Sequence, residues 1–247
     1  MSDVVADLRE RSGLDVVGAF AFGDTPELQD KLLDLVRRGT KRATAGSLEE
    51  LAAADEPFPE PGLHWGLLDG RGRAHFVMQT VHVTRGRLAE VTPAFAWDEG
   101  EHDRTLESWL EAHRRYFTRQ GSRAPDELEV VFERFRVVWP EADQTVWLAP
   151  DVRELCWDER DWVEKVCTEH RGTTHAPGRD RSYDVTILPG LVCEREGQRV
   201  GLLTFRPHPD GQTECVAVEA LVQGAGVKEA LTTGLAELGR RNDWRDV

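Results

Sequence analysis

At 247 residues the chain is long for one compact core and comfortable for two small domains, and 40% hydrophobic with 31% charged residues is the composition of a folded chain rather than a disordered one. Its 45 acidic against 31 basic residues leave a net charge of −14, spread as −9 over residues 1–150 and −5 over 151–247. That balance excludes the broad basic surface of a duplex DNA binder and leaves room for a nucleotide, a nucleoside or a short single-stranded RNA held in a local cationic pocket. No apolar run approaches the roughly 20 residues of a membrane span, and the opening MSDVVADLRE is neither basic nor apolar like a signal peptide, so a cytoplasmic protein with no membrane partner is expected. Cys156, Cys167, Cys193 and Cys215 lack a CxxC spacing, which predicts buried reduced thiols instead of a zinc site or disulfides.

Taken in chain order, VVGAFAFGD reads as a short opening strand. A helix follows, with Thr25 as N-cap, Pro26 at its first position, and Leu28, Leu32, Leu35 and Val36 on one face. Gly39 is placed to stop it in a left-handed cap. After the Pro-rich DEPFPEPG, the segments HWGLLDG and AHFVMQTVHVTRG read as strands, DRTLESWLEAHRRYF as an amphipathic helix and LEVVFERFRVVW as a closing strand. With no βαβ rhythm, this half predicts a small mixed sheet or barrel with helices packed outside. The prolines of WPEADQTVWLAPD put the boundary near 140–152, giving domains 1–144 and 145–247. The second half reads as a helix, DERDWVEKVCTEH, then strands YDVTILPGLVCERE, QRVGLLTFRPH and TECVAVEAL joined by hairpin turns, then a helix, VKEALTTGLAELGRR.

The densest chemistry lies in RRGTKRATAG, residues 37–46. Arg37 and Arg38 need no function beyond complementing the macrodipole of a helix end. Gly39, Lys41 and Thr44 form a more specific pattern: an ammonium and a hydroxyl three residues apart can hold an anion or activate a hydroxyl or water against a carbonyl. His113 and Trp109 fall on the apolar face of their helix and read as core, with Trp109 also able to wall a base-stacking pocket. His75 and His82 read as surface strand positions without metal-ligand spacing.

GTKRAT resembles the G-x-K-x-x-T signature of the ASCH domain, a PUA-like small barrel, and the likeness extends in order over roughly residues 18–140. FAFGDTPELQDKLLDLVRRGTKRATA is similar to the opening strand, helix and signature of the larger bacterial members, FAWDEGEHDRTLESWLEAHRRYF to their acidic segment and VVFERFRVVW to their closing strand. The resemblance implies an α+β fold, RNA or nucleotide binding, and an activity of the amidohydrolase type on acylated cytidine or of the ribonuclease type. It places the family's lysine on Lys41, its threonine on Thr44 and its glutamate on Glu99, before Gly100. Thr44 is then the nucleophile or water-orienting hydroxyl, Lys41 its base or an oxyanion clamp, and Glu99 the group exchanging a proton with the leaving amine. Lys41 as a base requires a depressed pKa, supplied by burial and Arg42. Gly39, Arg42, Glu101, Asp103 and Trp109 are expected to contact substrate. His102 stands where larger members often carry glycine. The amidohydrolase reading requires no cofactor; the nuclease reading admits a divalent metal.

ECVAVEALVQGAGVKEALTTGLAEL resembles the strand, pyrophosphate-binding turn and helix of the GNAT acyltransferase superfamily. The resemblance assigns acetyl-CoA to Gln223, Gly224, Gly226 and Lys228, although Lys228 stands where the family has glycine or alanine. The chain ends six residues past that helix, so the second half is expected to be a partial GNAT-like mixed α/β domain, incomplete at its C-terminus. A packing or interaction platform is favoured over an active acetyltransferase, and its open sheet edge predicts a homo-oligomer.

Overall fold

The computed structural model describes residues 2–53, 57–223 and 226–245. The chain is α+β and divides into two units, one taking in residues up to Val91 with 98–101 and 109–144, the other taking in 92–97, 102–108 and 145 onwards. Residues 92–97 and 102–108, which the sequence places with the first domain, pack with the second unit.

In the first unit β1 (Val16–Phe20), β3 (His64–Leu68), β4 (Ala74–Arg87), β5 (Glu129–Trp139) and β2 (Ala43–Ser47) form one sheet in that order. Helix α2 (Pro26–Arg37) begins as its sequence predicts, with the Thr25 hydroxyl accepting from the Leu28 backbone at 3.3 Å. It buries Leu32, Leu33 and Val36 against Trp65, Leu67, Met78, Phe135 and Val137 of the sheet. Helix α1 (Ser2–Ser12) packs Leu8 against Val16, Ala19 and Val77. The sequence showed no βαβ rhythm, yet β1 and β3 pair parallel, with α2 lying between them in the chain.

The predicted barrel does not close, because β1 and β2 remain the two ends of the strand order. The physical reason lies at the outer edge of β2. The segment 98–101, at the end of α4 (Pro93–Glu99), occupies it: the Arg42 backbone N–H donates to the Asp98 carbonyl at 2.7 Å, and the Ala45 N–H lies close enough to Glu99 to favour its charged form. A free strand edge is thus satisfied by a segment carrying carboxylates. Neither β2 nor α4 is legible as regular structure in the sequence. Short helix α3 (Leu48–Ala53) follows β2 and is capped by Ser47, whose hydroxyl accepts from the Glu50 N–H at 3.1 Å.

In the second unit the order is β12 (Thr213–Ala220), β11 (Gln198–Pro207), β10 (Gly190–Arg195), β7 (Val152–Glu154) and β6 (Trp147–Ala149), antiparallel throughout. Strand alternation assigns its faces. Leu191, Cys193, Leu203 and Phe205 pack with Leu231, Leu235 and Leu238 of α7 (Val227–Arg241), while Val192 and Leu202 pack with Val163, Val166 and Cys167 of α6 (Arg160–Arg171). The predicted strand YDVTILPGLVCERE is broken: its start joins β9 (Ser182–Asp184), paired with β8 (His175–Pro177), and a 3-10 turn at Val185–Ile187 separates it from β10. Cys167 and Cys193 are buried as expected, Cys156 is half-buried, and Cys215 is exposed because it lies on β12, at the end of the strand order. No helix among the described residues is long and apolar enough to cross a membrane.

Within this unit Arg104 is buried against Glu154, its guanidinium bonding both carboxylate oxygens at 3.1 and 3.0 Å and lying 3.4 Å from the centroid of the Trp97 ring. The Trp97 indole donates to the same carboxylate at 3.0 Å. This set of bonds holds Arg104 at φ 62, a left-handed backbone that a long side chain adopts only when its surroundings fix it.

Candidate active site

The signature turn is built by the end of α2. Gly39 sits at φ 73, and the Thr40 and Lys41 N–H groups both reach back to the Leu35 carbonyl, at 3.0 and 3.1 Å. A Cβ on Gly39 would stand 2.6 Å from the Gln144 carbonyl oxygen, so the backbone here requires glycine. Lys41 emerges from this turn with its side chain 1% exposed. Gly100 explains the other half of the pattern. It also has positive φ, and a Cβ there would stand 2.5 Å from the Thr40 carbonyl oxygen. The Glu-Gly pair therefore supplies a carboxylate and the close approach that brings it to the signature turn.

Three ionisable groups meet there. The Lys41 ammonium lies 2.6 Å from Glu101 Oε1, 4.0 Å from Glu99 Oε2 and 4.9 Å from the centroid of the Phe22 ring. The Glu99 side chain is 2% exposed and the Glu101 side chain 21%, so one carboxyl is sealed and the other reaches solvent. The Trp109 indole and the Ala45 N–H lie close enough to Glu99 to favour its charged form, and Glu99 Oε1 is buried with no hydrogen bond among the described residues. His113 completes the group. Its ring stacks on Trp109 at 3.7 Å and 17°, and its Nε2 lies 3.8 Å from Glu99 Oε2. Its Nδ1 is 3.0 Å from the Trp109 carbonyl oxygen, which can only accept, so Nδ1 carries the proton and the Nε2 lone pair faces Glu99.

Burial and charge set the protonation states. Burial pushes Glu99 up to about 8, with the Glu101 charge adding to it and Lys41, Trp109 and Ala45 opposing. Burial alone would lower Lys41, but Glu101 and Glu99 beside it outweigh that effect and raise it. The depressed lysine that a base requires is therefore absent: Lys41 stays charged because two carboxyls flank it. Burial lowers His113 to about 4, so its ring is neutral.

Thr44 is the next part of the site. It lies on β2, paired in register with Glu133 of β5, and with that residue lines a cavity of about 250 Å³. Phe20, Leu51, Pro59 and Trp65 supply apolar walls, and Ala45 also lines the cavity. Glu133 is 7% exposed and accepts from the Thr80 hydroxyl at 2.5 Å.

The remaining predicted contacts go elsewhere. Arg42 pairs with Asp98 at 2.9 Å, and Arg134 bonds the other oxygen of the same carboxylate at 2.9 Å, so Arg42 anchors the strand edge. Asp103 is exposed, falls in the second unit, and braces the start of α5 (Leu106–Arg119): its carboxylate accepts from the Thr105 N–H at 2.9 Å, the Thr105 hydroxyl at 2.8 Å and the Ser108 hydroxyl. His102 is exposed at φ 53. His75 bonds Asp69 at 2.9 Å, and His82 lies on β4. Among the described residues no three His, Cys, Asp or Glu side chains are grouped to hold a metal ion.

At the second resemblance Gly224 lies outside the described residues, and Gln223 and Lys228 are exposed. The Glu229 carboxylate stands 3.3 Å from the position a Cβ on Gly226 would take. Glu229 thus lies beside the helix N-terminus, and nothing in the described residues of this turn bears further on a pyrophosphate.

Residues 18–139 match the family model of the ASCH domain. This stretch is an ASCH domain, of the PUA-like class. The match runs from β1 to the end of β5 and contains the whole Lys41, Glu99, Glu101 and His113 group. The chain is also similar to a crystal structure of an ASCH domain from Lactobacillus crispatus JV V101, with 27% identity and TM-score 0.47, covering 56% of this chain and 87% of that one. A crystal structure of protein EF3133 from Enterococcus faecalis V583 is similar at 29% identity and TM-score 0.48, covering 56% and 90%. Comparison with curated proteins gives no match. Within the ASCH domain two residues escape the sequence reading. His113 reads there as core, and its signal is its place four residues after Trp109 on one helix face. Glu133 is a carboxylate among Val131, Phe135 and Val137, the inward-facing set of β5, and a charge at such a position is itself the signal.

Proposed function

We propose that the ASCH domain is a hydrolase for an amide carried on a nucleobase, of the N4-acylcytidine type. The observation that supports this reading best is the buried Lys41 ammonium between a sealed carboxyl that is protonated at neutral pH and a solvent-reaching one. In such a site the water that attacks the carbonyl carbon is oriented by Thr44 and gives its proton to Glu101. The oxyanion that forms is stabilised by Lys41. Glu99 then protonates the leaving nitrogen as the C–N bond breaks, giving a carboxylic acid and a free amine. A proton passed from Glu101 to Glu99 resets the pair. His113 positions Glu99 by stacking on Trp109 and turning an unprotonated nitrogen toward it.

Phosphodiester cleavage is less well supported by the same geometry. One ammonium flanked by two carboxyls gives a site with no excess positive charge, and a phosphate entering it meets Glu101. The test is turnover of N4-acetylcytidine and of a short single-stranded RNA by the full chain. Amide hydrolysis that falls about a thousandfold in Lys41→Ala and roughly a hundredfold or more in Glu99→Gln, without RNA cleavage, is the expected result. Equal rates in wild type and both variants would remove the assignment.

A further inference from the structure

Both carboxyls that face Lys41 sit on one short stretch of chain, and the two ends of that stretch are tied together. Glu99 and Glu101 fall within residues 98–103, between Trp97 and Arg104. The Arg104 Nε donates to the Trp97 carbonyl at 3.1 Å and joins the ends directly. Both residues then meet one acceptor, Glu154 on β7. The guanidinium bonds its two oxygens, and the Trp97 indole donates to one of them at 3.0 Å. All three residues are buried and lie in the same unit. Strand β7 is paired on both edges, with β10 and with β6, so the acceptor stands on a fixed strand. Trp97 is held from its other side by the Phe205 ring, edge-on at 5.0 Å.

Stability alone does not call for this arrangement. Apolar residues of similar volume often match a buried ion pair, because taking two charges out of water costs about what their attraction returns. What a guanidinium on a carboxylate adds is direction, since two parallel hydrogen bonds fix both partners. The backbone carries the same message. Gly100, His102 and Arg104 stand at φ 73, 53 and 62, three left-handed residues at alternate positions, two of them with side chains. Such a path persists only where its surroundings over-determine it, and the bonds of Arg104 supply that restraint. We infer that Arg104 and Glu154 are positioning residues for the proposed hydrolysis: by closing the base of the 98–103 segment they fix the distances at which Glu99 and Glu101 face Lys41. The reach is short, with Glu99 two residues from Trp97 and Glu101 three from Arg104. With the base closed, Gly100 stays against the Thr40 carbonyl, and the ammonium lies 2.6 Å from Glu101 and 4.0 Å from Glu99. With the base open, the left-handed path relaxes and water reaches Glu99. The titratable groups facing Glu99 are Lys41 of the signature turn, Glu101 of its own segment and His113 of α5, and burial is the strongest influence on it. Hydration therefore lowers it from about 8 toward the ordinary carboxylate range. The effect on rate rests on the proposed amide hydrolysis, whereas the placement of Glu99 is read from stability without any turnover.

The decisive variant is Arg104→Met/Glu154→Leu, which removes both charges together and leaves neither buried alone. Turnover of N4-acetylcytidine and urea unfolding are measured on full-chain wild type and variant from about pH 6 to pH 10. The variant is expected to lose roughly tenfold or more in kcat with KM within about threefold. The alkaline fall of its kcat should begin about one pH unit lower than in wild type. Unfolding carries the same signature. A raised folded pKa means that wild type loses stability as pH rises through about 8, and the variant should lose it at lower pH. Leu202→Ala, which thins the core against α6 on the other face of the same sheet, should lower the urea midpoint and leave kcat and its pH profile unaltered. Should the double variant not fold, Arg104→Lys keeps the charge, gives up the fork, and should lose several-fold in kcat with the same alkaline shift. Wild-type kcat with an unmoved alkaline limb, or a rate loss equalled by Leu202→Ala, would overturn the inference and leave the hydrolase reading standing. No turnover by wild type, with the alkaline loss of stability moved in the variant, would remove the hydrolase reading and leave the inference.

Discussion

Two glycine-bearing turns with a lysine, residues 39–44 and 223–228, look alike as sequence and differ as chemistry. In the first, a helix ends, the chain doubles back, and Lys41 is sealed beside Glu99 and Glu101. In the second, a helix begins and Lys228 projects into solvent, with Glu229 next to the helix N-terminus. An exposed ammonium in water interacts weakly with everything around it, whereas a buried one fixes the protonation of its neighbours. What separates a site from a turn here is the second segment: Gly100 lets 98–101 press against residues 40–41. Among the described residues the turn before α7 has no such visitor.

The contrast can be tested by removing each lysine. Lys41→Met leaves Glu99 and the solvent-reaching Glu101 without their cation, which should cost about 1–3 kcal/mol at neutral pH and lower turnover roughly a thousandfold. Urea unfolding and rates measured on the same preparation read both effects. A larger stability loss is expected for Arg104→Met in the second unit, about 3–5 kcal/mol, because Glu154 is buried and loses its bidentate partner. That variant tests whether burial of charge, and not membership of the site, sets the size of the effect. Gly100→Ala should cost about 1–2 kcal/mol from positive φ and the clash at Thr40, with a clear fall in rate as the carboxyls shift from Lys41. At the small end, Lys228→Met should change stability by less than about 0.5 kcal/mol and leave turnover unaltered. A large effect there would collapse the comparison.

How much of this was legible depended on whether a signal was local. Helix α2, its Thr25 cap and its glycine stop are visible because caps and periodicity act within a few residues. The long alternating β4 and β5 are visible for the same reason. Strand β2 was hidden inside the signature, since ATAGS has no apolar alternation and pairs only because β5 offers its edge. The open sheet was equally hidden: that residues 98–101 take the edge of β2 depends on contacts 56 residues apart in the chain, such as Arg42 with Asp98. Lys41 and Glu99 were readable as types in a pattern, but the sign of the lysine shift was not, because it depends on two carboxyls arriving from a distant segment.

The central claim is that a buried, protonated Glu99 beside Lys41 supplies the proton for amide cleavage. The most direct measurement is the pH dependence of kcat for N4-acetylcytidine from about pH 6 to pH 10, paired with unfolding of wild type and Glu99→Gln over the same range. Because the folded pKa of Glu99 is raised, its contribution to stability is fully present below the ordinary value near 4.5 and is lost as pH rises through about 8. The rate constant kcat is expected to fall above about pH 8, and Glu99→Gln to be slower yet more stable than wild type at the alkaline end. A kcat unchanged up to pH 10, or a Glu99→Gln enzyme as fast as wild type, would contradict it.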